Sequence, residues 1–365
     1  MGTESRLRSN LAIPPGEYLE EVIAELGITK MELAKRMDRP SSKLSAIFKG
    51  EKAITPGTAL QLEKVLGIPA HIWSGLESEY RLILARQQEE HEREQIKKET
   101  GLVRKFCYAE LVKLNLLPPR TKRVDKVSEL QKFFGVTSLF SIREIGPYQA
   151  AFRKGLSKRG ASPEALAAWL RLGELKAREI QTGSFSKERL EASLGQIRGM
   201  SRLSPGQFEP DLRQRLAQLG VVLVLAPHFP RTYVHGATYW RQKDRPVLMI
   251  TIRGKWADIF WFSLFHELGH ILLHDKQSVF LEGCDAPSEM EQREEEADEF
   301  AKESLIPTAL YKDFLAQGNY HAENIVRFAE QAGVHPGIVV GRLQHERYIP
   351  RSWHNRLRKR YAWAN

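Results

Sequence analysis

Apolar residues recur at helical spacing through most of the chain, and the pattern changes character twice. From Glu17 to Leu26, the residues Tyr18, Leu19, Val22, Ile23 and Leu26 share one side of a helix that Gly27 stops. Thr29 is a good N-cap for a helix over Lys30 to Met37. Pro40 fits the first turn of another that runs to Lys49 and ends at Gly50. Thr55-Pro56 repeats the cap-plus-proline signature for a helix ending near Gly67. A last helix starts near Pro69 and runs on through charged sequence to Glu99. Residues 101–205 read as mostly helical and strongly charged, broken at Leu117-Pro118-Pro119, with one long helix over Pro163 to Thr182 carrying Leu166, Trp169, Leu170 and Leu175.

From about Phe208 the pattern turns mixed. Val221 to Ala226 and Val247 to Ile252 are continuous apolar runs of the kind that form buried strands. A strongly apolar helix spans about Trp256 to His274, and a charged one spans about Ser288 to Leu305, stopped by Pro307. The expected class is mostly α and multidomain, with an α+β region at the C-terminal end.

Composition narrows the function classes. A chain of 365 residues exceeds one ordinary domain. No stretch is long and apolar enough to cross a bilayer, and MGTESRLRSN lacks the apolar core of a secretory signal, so no membrane partner and a cytoplasmic location are expected. The two cysteines, Cys107 and Cys284, lie far apart and form no CxxC; they read as buried or half-buried thiols rather than a disulfide framework or a zinc site. The net charge of +10 is concentrated in residues 101–205, which hold 20 Lys and Arg against 9 Asp and Glu. That surplus suits a solvated linker bundle, a dimer contact, or contact with DNA flanks or an acidic partner.

The candidate chemistry lies in His266-Glu267-Leu268-Gly269-His270. Helical positions four apart differ by about 40° around the axis, so both imidazoles point the same way. Glu267 sits about 100° from His266, near enough to reach a water on the same metal. Zinc takes neutral nitrogen ligands and, in catalytic sites, keeps a position open for water, whose proton the glutamate accepts. The flanking Ile259, Phe260, Trp261, Phe262, Leu264, Phe265, Ile271, Leu272 and Leu273 bury this helix, and buried imidazoles need partners. A third ligand is expected from Glu294-Glu295-Glu296-Ala297-Asp298. Glu294 is assigned as the ligand and Asp298, four residues on, as the acceptor that orients a ligand histidine. Glu295 and His274 stand as alternative ligands, His274 otherwise being an end-of-helix histidine near the C-terminal dipole.

Gly236-Ala237-Thr238, FWFSLFHELGHILLH and EEEADEFAKESLIP resemble the ImmA/IrrE family of metallo-endopeptidases, and Gly337 to His345 is similar to its longer members. The resemblance covers roughly the last 150 residues. It implies a gluzincin-like zinc site of His266, His270 and Glu294 with Glu267 as catalytic base, and in some members cleavage of a partner repressor. The oxyanion-stabilising group stays open among Tyr233, His235, Tyr239 and His345. Residues 14–75, through Pro15-Gly16-Glu17-Tyr18-Leu19, ITKMELAKRM and KLSAIFKGEKAIT, resemble the XRE-type helix-turn-helix, closest to the HigA/VapI antitoxin branch. Leu33, Ala34, Leu44 and Ile47 have the spacing to close its core. The second helix of such a pair enters the major groove, which would expose Ser41, Ser42, Lys43, Ser45 and Lys49 to DNA, with Lys30, Lys35, Arg36 and Lys52 on phosphates. Residues 30–52 hold seven Lys and Arg against three Asp and Glu. Pro40 stands where relatives carry a small polar cap, and the serine-rich face lacks bidentate base readers, so base specificity is expected to be modest or partly indirect.

The expected organisation is a helix-turn-helix domain over residues 1–80, a charged helical linker or dimerisation segment over 81–205, and a zinc metallopeptidase domain over 206–365. The expected function is a homodimeric regulator of a double-stranded DNA operator whose peptidase hydrolyses a protein partner, of repressor or toxin type. The competing readings are an antitoxin-like repressor whose metal domain senses or scaffolds without cutting, and a peptidase whose helix-turn-helix only recruits a partner.

Overall fold

The computed structural model describes residues 11–154, 160–242, 244–274, 280–281 and 288–362. They fall into two compact units, Met1–Lys98 and Glu99–Asn365. The chain is mostly helical with one small sheet. No described helix is long and apolar enough to cross a membrane. Cys107 is a buried free thiol; Cys284 and the segment MGTESRLRSN lie outside the described residues.

The first unit holds α1 (Pro15–Glu25), α2 (Lys30–Arg36), α3 (Ser41–Phe48), α4 (Pro56–Leu66) and most of α5 (Ala70–Glu99). The expected caps are in place. The Thr29 hydroxyl accepts from Glu32 N at 3.1 Å, the Thr55 hydroxyl accepts from Thr58 N at 3.3 Å, and Gly67 ends α4 at φ 77°. Pro40 is the N-cap of α3 and supplies no side-chain acceptor. Leu33, Ala34, Leu44 and Ile47 are buried as expected, together with Leu19, Ile23, Phe48 and Trp73. Gly16 explains the Pro-Gly start of α1. A Cβ there would lie 2.3 Å from the Phe48 carbonyl oxygen, so only glycine lets α1 meet the end of α3 so closely. The base of α5 belongs to the same core. Buried Glu77 accepts from Ile54 N at 2.9 Å and from Arg81 Nε at 2.8 Å.

The second unit begins with α6 (Tyr108–Lys113), α7 (Arg123–Phe134), α8 (Gly146–Lys154), α9 (Pro163–Glu179), α10 (Lys187–Gly199) and α11 (Pro205–Gln218). Four strands follow in sheet order β1-β3-β2-β4: β1 (Val222–Leu225), β2 (Gly236–Gln242), β3 (Arg245–Ile250) and β4 (Phe280–Leu281). β1 is parallel to β3, and β2 is antiparallel to both β3 and β4. Interleaved with the last strand and after it come α12 (Ala257–Leu273), α13 (Ser288–Leu305), α14 (Thr308–Ala316), α15 (Ala322–Ala332) and α16 (Pro336–His345).

The two apolar runs are β1 and β3, while β2, whose polar and aromatic alternation carries no long apolar run, was not foreseen. α9 stops at Glu179 rather than Thr182. The basic middle segment is tied to the sheet region. The indole Nε1 of fully buried Trp169 donates to Pro227 O at 3.1 Å, and the Arg245 guanidinium donates to Ile180 O. The boundary expected near residue 205 therefore falls inside one compact body.

The two faces of glycine give opposite expectations in the first unit. Gly16→Ala should destabilise it by roughly 1–3 kcal/mol, the range for overpacking. Gly75→Ala, exposed within α5 with nothing inside 4 Å of an added Cβ, should stabilise it by about 0.8 kcal/mol. Urea melts followed by circular dichroism read both; equal effects from the two changes would refute the close approach at Gly16.

Candidate metal centre

α12 is buried on almost every side, with Phe260, Trp261, Leu264, Phe265, Leu268, Ile271 and Leu272 in the core. His266, Glu267 and His270 are 2%, 0% and 0% exposed, so each polar atom needs a partner. α13 supplies several. It packs directly on α12, and Gly269 makes that possible: a Cβ there would come within 3.0 Å of the Phe300 ring and 3.3 Å of Ala297 Cα.

The two helices bring three donors to one point. His266 Nε2 and His270 Nε2 face each other at 3.0 Å, and the Glu294 carboxylate oxygens lie 3.5 Å and 3.7 Å from them. These residues form a His/Glu group able to hold a metal ion. Ligand atoms about 2.0–2.1 Å from a tetrahedral zinc are about 3.3 Å apart. The two nitrogens and the carboxylate stand at about that spacing, with each imidazole nitrogen facing a different Glu294 oxygen. Glu294 Oε1 is buried with no hydrogen-bond partner among the described residues, the condition of a ligand rather than of a solvated acid. The donor set, two imidazoles and a carboxylate, suits a zinc ion with an open position. Glu295 is exposed and outside this group.

Asp298 Oδ1 lies 2.8 Å from His266 Nδ1. A carboxylate there accepts a hydrogen bond from His266 Nδ1–H, which leaves the Nε2 lone pair for a metal. Glu267 is held from the sheet. The Thr238 hydroxyl donates to Glu267 Oε2 at 2.5 Å. Gly236, two residues earlier on the same face of β2, clears the space: a Cβ there would stand 2.4 Å from Glu267 Oε1. Neither role was assigned from sequence, although the period of two in a strand puts residues 236 and 238 on one face.

His274 does not join the three donors. Its side chain is buried, its Nδ1 lies 2.9 Å from His270 Nδ1 and its Nε2 lies 3.0 Å from Glu296 Oε2. Burial pushes its pKa down, against the hydrogen bond it donates to Glu296. Glu296 is held below the usual carboxylate range by hydrogen bonds from His274 and Gln292.

Of the four oxyanion candidates, Tyr239 is on the wrong face. It alternates with Thr238, so it points away from Glu267; burial and then the Glu174 charge raise its pKa. The Tyr233 ring stacks under the Arg253 guanidinium, 5.0 Å from its centroid. His235 and His345 line a cavity of about 310 Å³ with Phe262, Ser263 and Ile306. The Phe262 ring centroid is 6.3 Å from that of His266, which puts this cavity beside the metal centre.

On the helix-turn-helix, Ser41, Ser42, Lys43, Ser45 and Lys49 are all exposed along α3 and its end. Lys30 pairs with Glu20 and lies 4.5 Å over the Phe48 ring, and Arg36 pairs with Glu32. Arg39 Nε donates to Gln61 at 2.6 Å, a contact not anticipated.

The model of the IrrE N-terminal-like domain, peptidase M78, matches residues 217–344, the stretch that contains all three donors. Virulence-associated protein I of Dichelobacter nodosus is 35% identical over 77 residues, 21% of this chain and 71% of that protein. The chain belongs to the XRE-type, VapI-like helix-turn-helix family, fused to an IrrE-like domain. A second family relative, the uncharacterized HTH-type transcriptional regulator YddM of Escherichia coli K12, is 31% identical over 68 residues, 19% of this chain and 72% of that protein. A solved addiction module antidote protein of a HigA family from Coxiella burnetii is 32% identical and covers 24% of this chain and 94% of its own, with a TM-score of 0.21.

The donor triangle is testable by metal analysis. Purified wild type should bind one zinc per chain, and His266→Ala should lose it. Asp298→Asn should keep the site but weaken it by about 10–100-fold, the usual cost of removing a group that orients a ligand histidine. A wild type that binds no divalent ion would reduce the cluster to a hydrogen-bonded core.

Proposed function

We propose that the protein is a cytoplasmic, homodimeric regulator that binds a double-stranded DNA operator through α3 and carries a zinc-dependent endopeptidase that hydrolyses a protein partner. The observation that carries the enzymatic half is the convergence of His266 Nε2, His270 Nε2 and the Glu294 carboxylate on one point beside a buried glutamate. When bound there, zinc would supply Lewis acidity and make water a stronger acid.

The chain's own residues do the rest. Glu267 accepts the proton of the attacking water and later passes it to the leaving amine. Thr238 fixes the glutamate through Oε2, and Asp298 keeps His266 in the tautomer that presents Nε2. The apolar wall of the cavity beside the site, with Phe262 and Ile306, offers a substrate side chain a dry seat, and His235 and His345, which also line it, are the candidate donors to a carbonyl oxygen.

The DNA half rests on an exposed, serine-rich α3 ending in lysine, on a helix pair that closes its own core. Lys43 and Lys49 neutralise phosphates and the serines make adaptable contacts to backbone or base edges. Lys30, already engaged by Glu20 and Phe48, contributes field rather than a free donor.

Glu267→Gln should retain zinc and operator binding while cleavage of the partner falls by at least about 100-fold, as loss of a general base entails. If regulation in cells survives that change, the metal domain is a sensor or scaffold and the chain an antitoxin-like repressor. In parallel, Lys43→Ala should weaken operator binding about evenly across sequences and lower the salt slope by about one. Pull-down and sequencing that enrich no DNA site would leave the helix-turn-helix as a partner-recruiting module only.

A further inference from the structure

The two ligand imidazoles are steadied by unlike devices. His266 Nδ1 meets a carboxylate directly, at 2.8 Å from Asp298. The contact at His270 Nδ1 is to a second imidazole. That atom faces His274 Nδ1 at 2.9 Å, and the far nitrogen of the His274 ring, Nε2, lies 3.0 Å from Glu296 Oε2. Gln292 Nε2 in turn donates to the other Glu296 oxygen at 2.9 Å. His274 ends α12 with an extended backbone, φ −114° and ψ 164°, so its ring turns back along the helix to His270. Its side chain is only 3% exposed, so both ring nitrogens must be satisfied within the protein.

Resting on the zinc-site reading above, we propose that His274 and Glu296 form a positioning relay that fixes the tautomer and orientation of the ligand His270. Proton placement decides the direction of each bond. A carboxylate accepts only, so His274 carries its proton on Nε2 and donates to Glu296. Its Nδ1 then has a lone pair and accepts from His270 Nδ1–H. His270 is left with its lone pair on Nε2, the atom that faces His266 Nε2 at 3.0 Å. The reverse arrangement fails at both ends: a proton on His274 Nδ1 would set a lone pair against the Glu296 carboxylate and push the His270 proton onto the metal-facing nitrogen. Both His274 nitrogens are used, so it has no atom left to ligate. The relay raises the basicity of His270 as a direct carboxylate would, with the negative charge held at the exposed rim of α13 instead of in the core.

The test uses the full-length chain, with zinc affinity measured by chelator competition and the cobalt(II) form read by its visible absorption. His274→Ala should weaken zinc by about 10–100-fold and shift the cobalt bands. His274→Asn, whose carbonyl can accept from His270 Nδ1, should recover most of the affinity. Glu296→Gln should weaken zinc in the same direction, and adding it to His274→Ala should cost little more. Affinity and cobalt bands of His274→Ala like those of wild type would overturn the relay, as would a lowered melting temperature with unchanged bands, the mark of a packing role alone. Should His274→Ala not fold, Glu296→Gln at the exposed rim decides by the same two readouts. A wild type that binds no zinc overturns the metal site and the relay together; a wild type that binds zinc, with both variants unchanged, overturns the relay and leaves the site standing.

Discussion

The second unit is organised around one constraint: α12 is too apolar to face water, yet it carries two imidazoles and a carboxylate that cannot be buried alone. Every feature near it answers that constraint. Gly269 removes the side chain that would hold α13 away. α13 then lays acids along the imidazole edge, with Glu294 toward the Nε2 pair, Asp298 behind His266 and Glu296 behind His274. On the opposite side Gly236 and Thr238 of β2 make room for Glu267 and pin it. The sheet and α13 are thus two jaws closed on one helix, each set at its distance by a glycine.

That closure also explains why the basic middle segment packs as it does. The strands supplying Gly236 and Thr238 need cover on their far face, and α9 gives it: Trp169 bonds the chain after β1, and the end of α9 bonds Arg245 at the start of β3. Tyr239 points to that side, where burial and the Glu174 charge oppose its ionisation. The positive surplus of residues 101–205 is partly consumed within this layer, as where Arg171 and Arg178 both bind Glu174. Charge counted along a sequence therefore overstates what a partner would meet.

Much of the fold was legible because its signals are local. Caps at Thr29 and Thr55, the stop at Gly67 and the apolar positions Leu33, Ala34, Leu44 and Ile47 depend on residues within a few positions of one another, and all stand as read. The HExxH pair was legible for the same reason. Glu294 and Asp298 needed only the step from one helix to a second. What escaped required tertiary knowledge: β2 has no apolar run, so neither its Gly236 nor its Thr238 could be aimed at Glu267 without knowing which strand α12 lies on. The cover that α9 gives the sheet was not legible either, because a charged helix with one buried stripe reads alike in sequence whether or not that stripe is covered.

The histidine left open by the sequence shows where helical spacing alone runs out. His274 is eight residues beyond His266, about 12 Å along the axis and about 80° around it. No imidazole reaches that far along its own helix to share an ion with His266, so the third ligand must come from a separate element. The same spacing puts His274 one turn past His270, where an imidazole meets the neighbouring ring from behind. On the proposed reading, a run of three histidines four residues apart divides into two ligands and one support, and the support needs an acid of its own from the partner helix. That acid is Glu296, whose Oε2 lies 3.0 Å from His274 Nε2 while Gln292 Nε2 donates to its Oε1 at 2.9 Å.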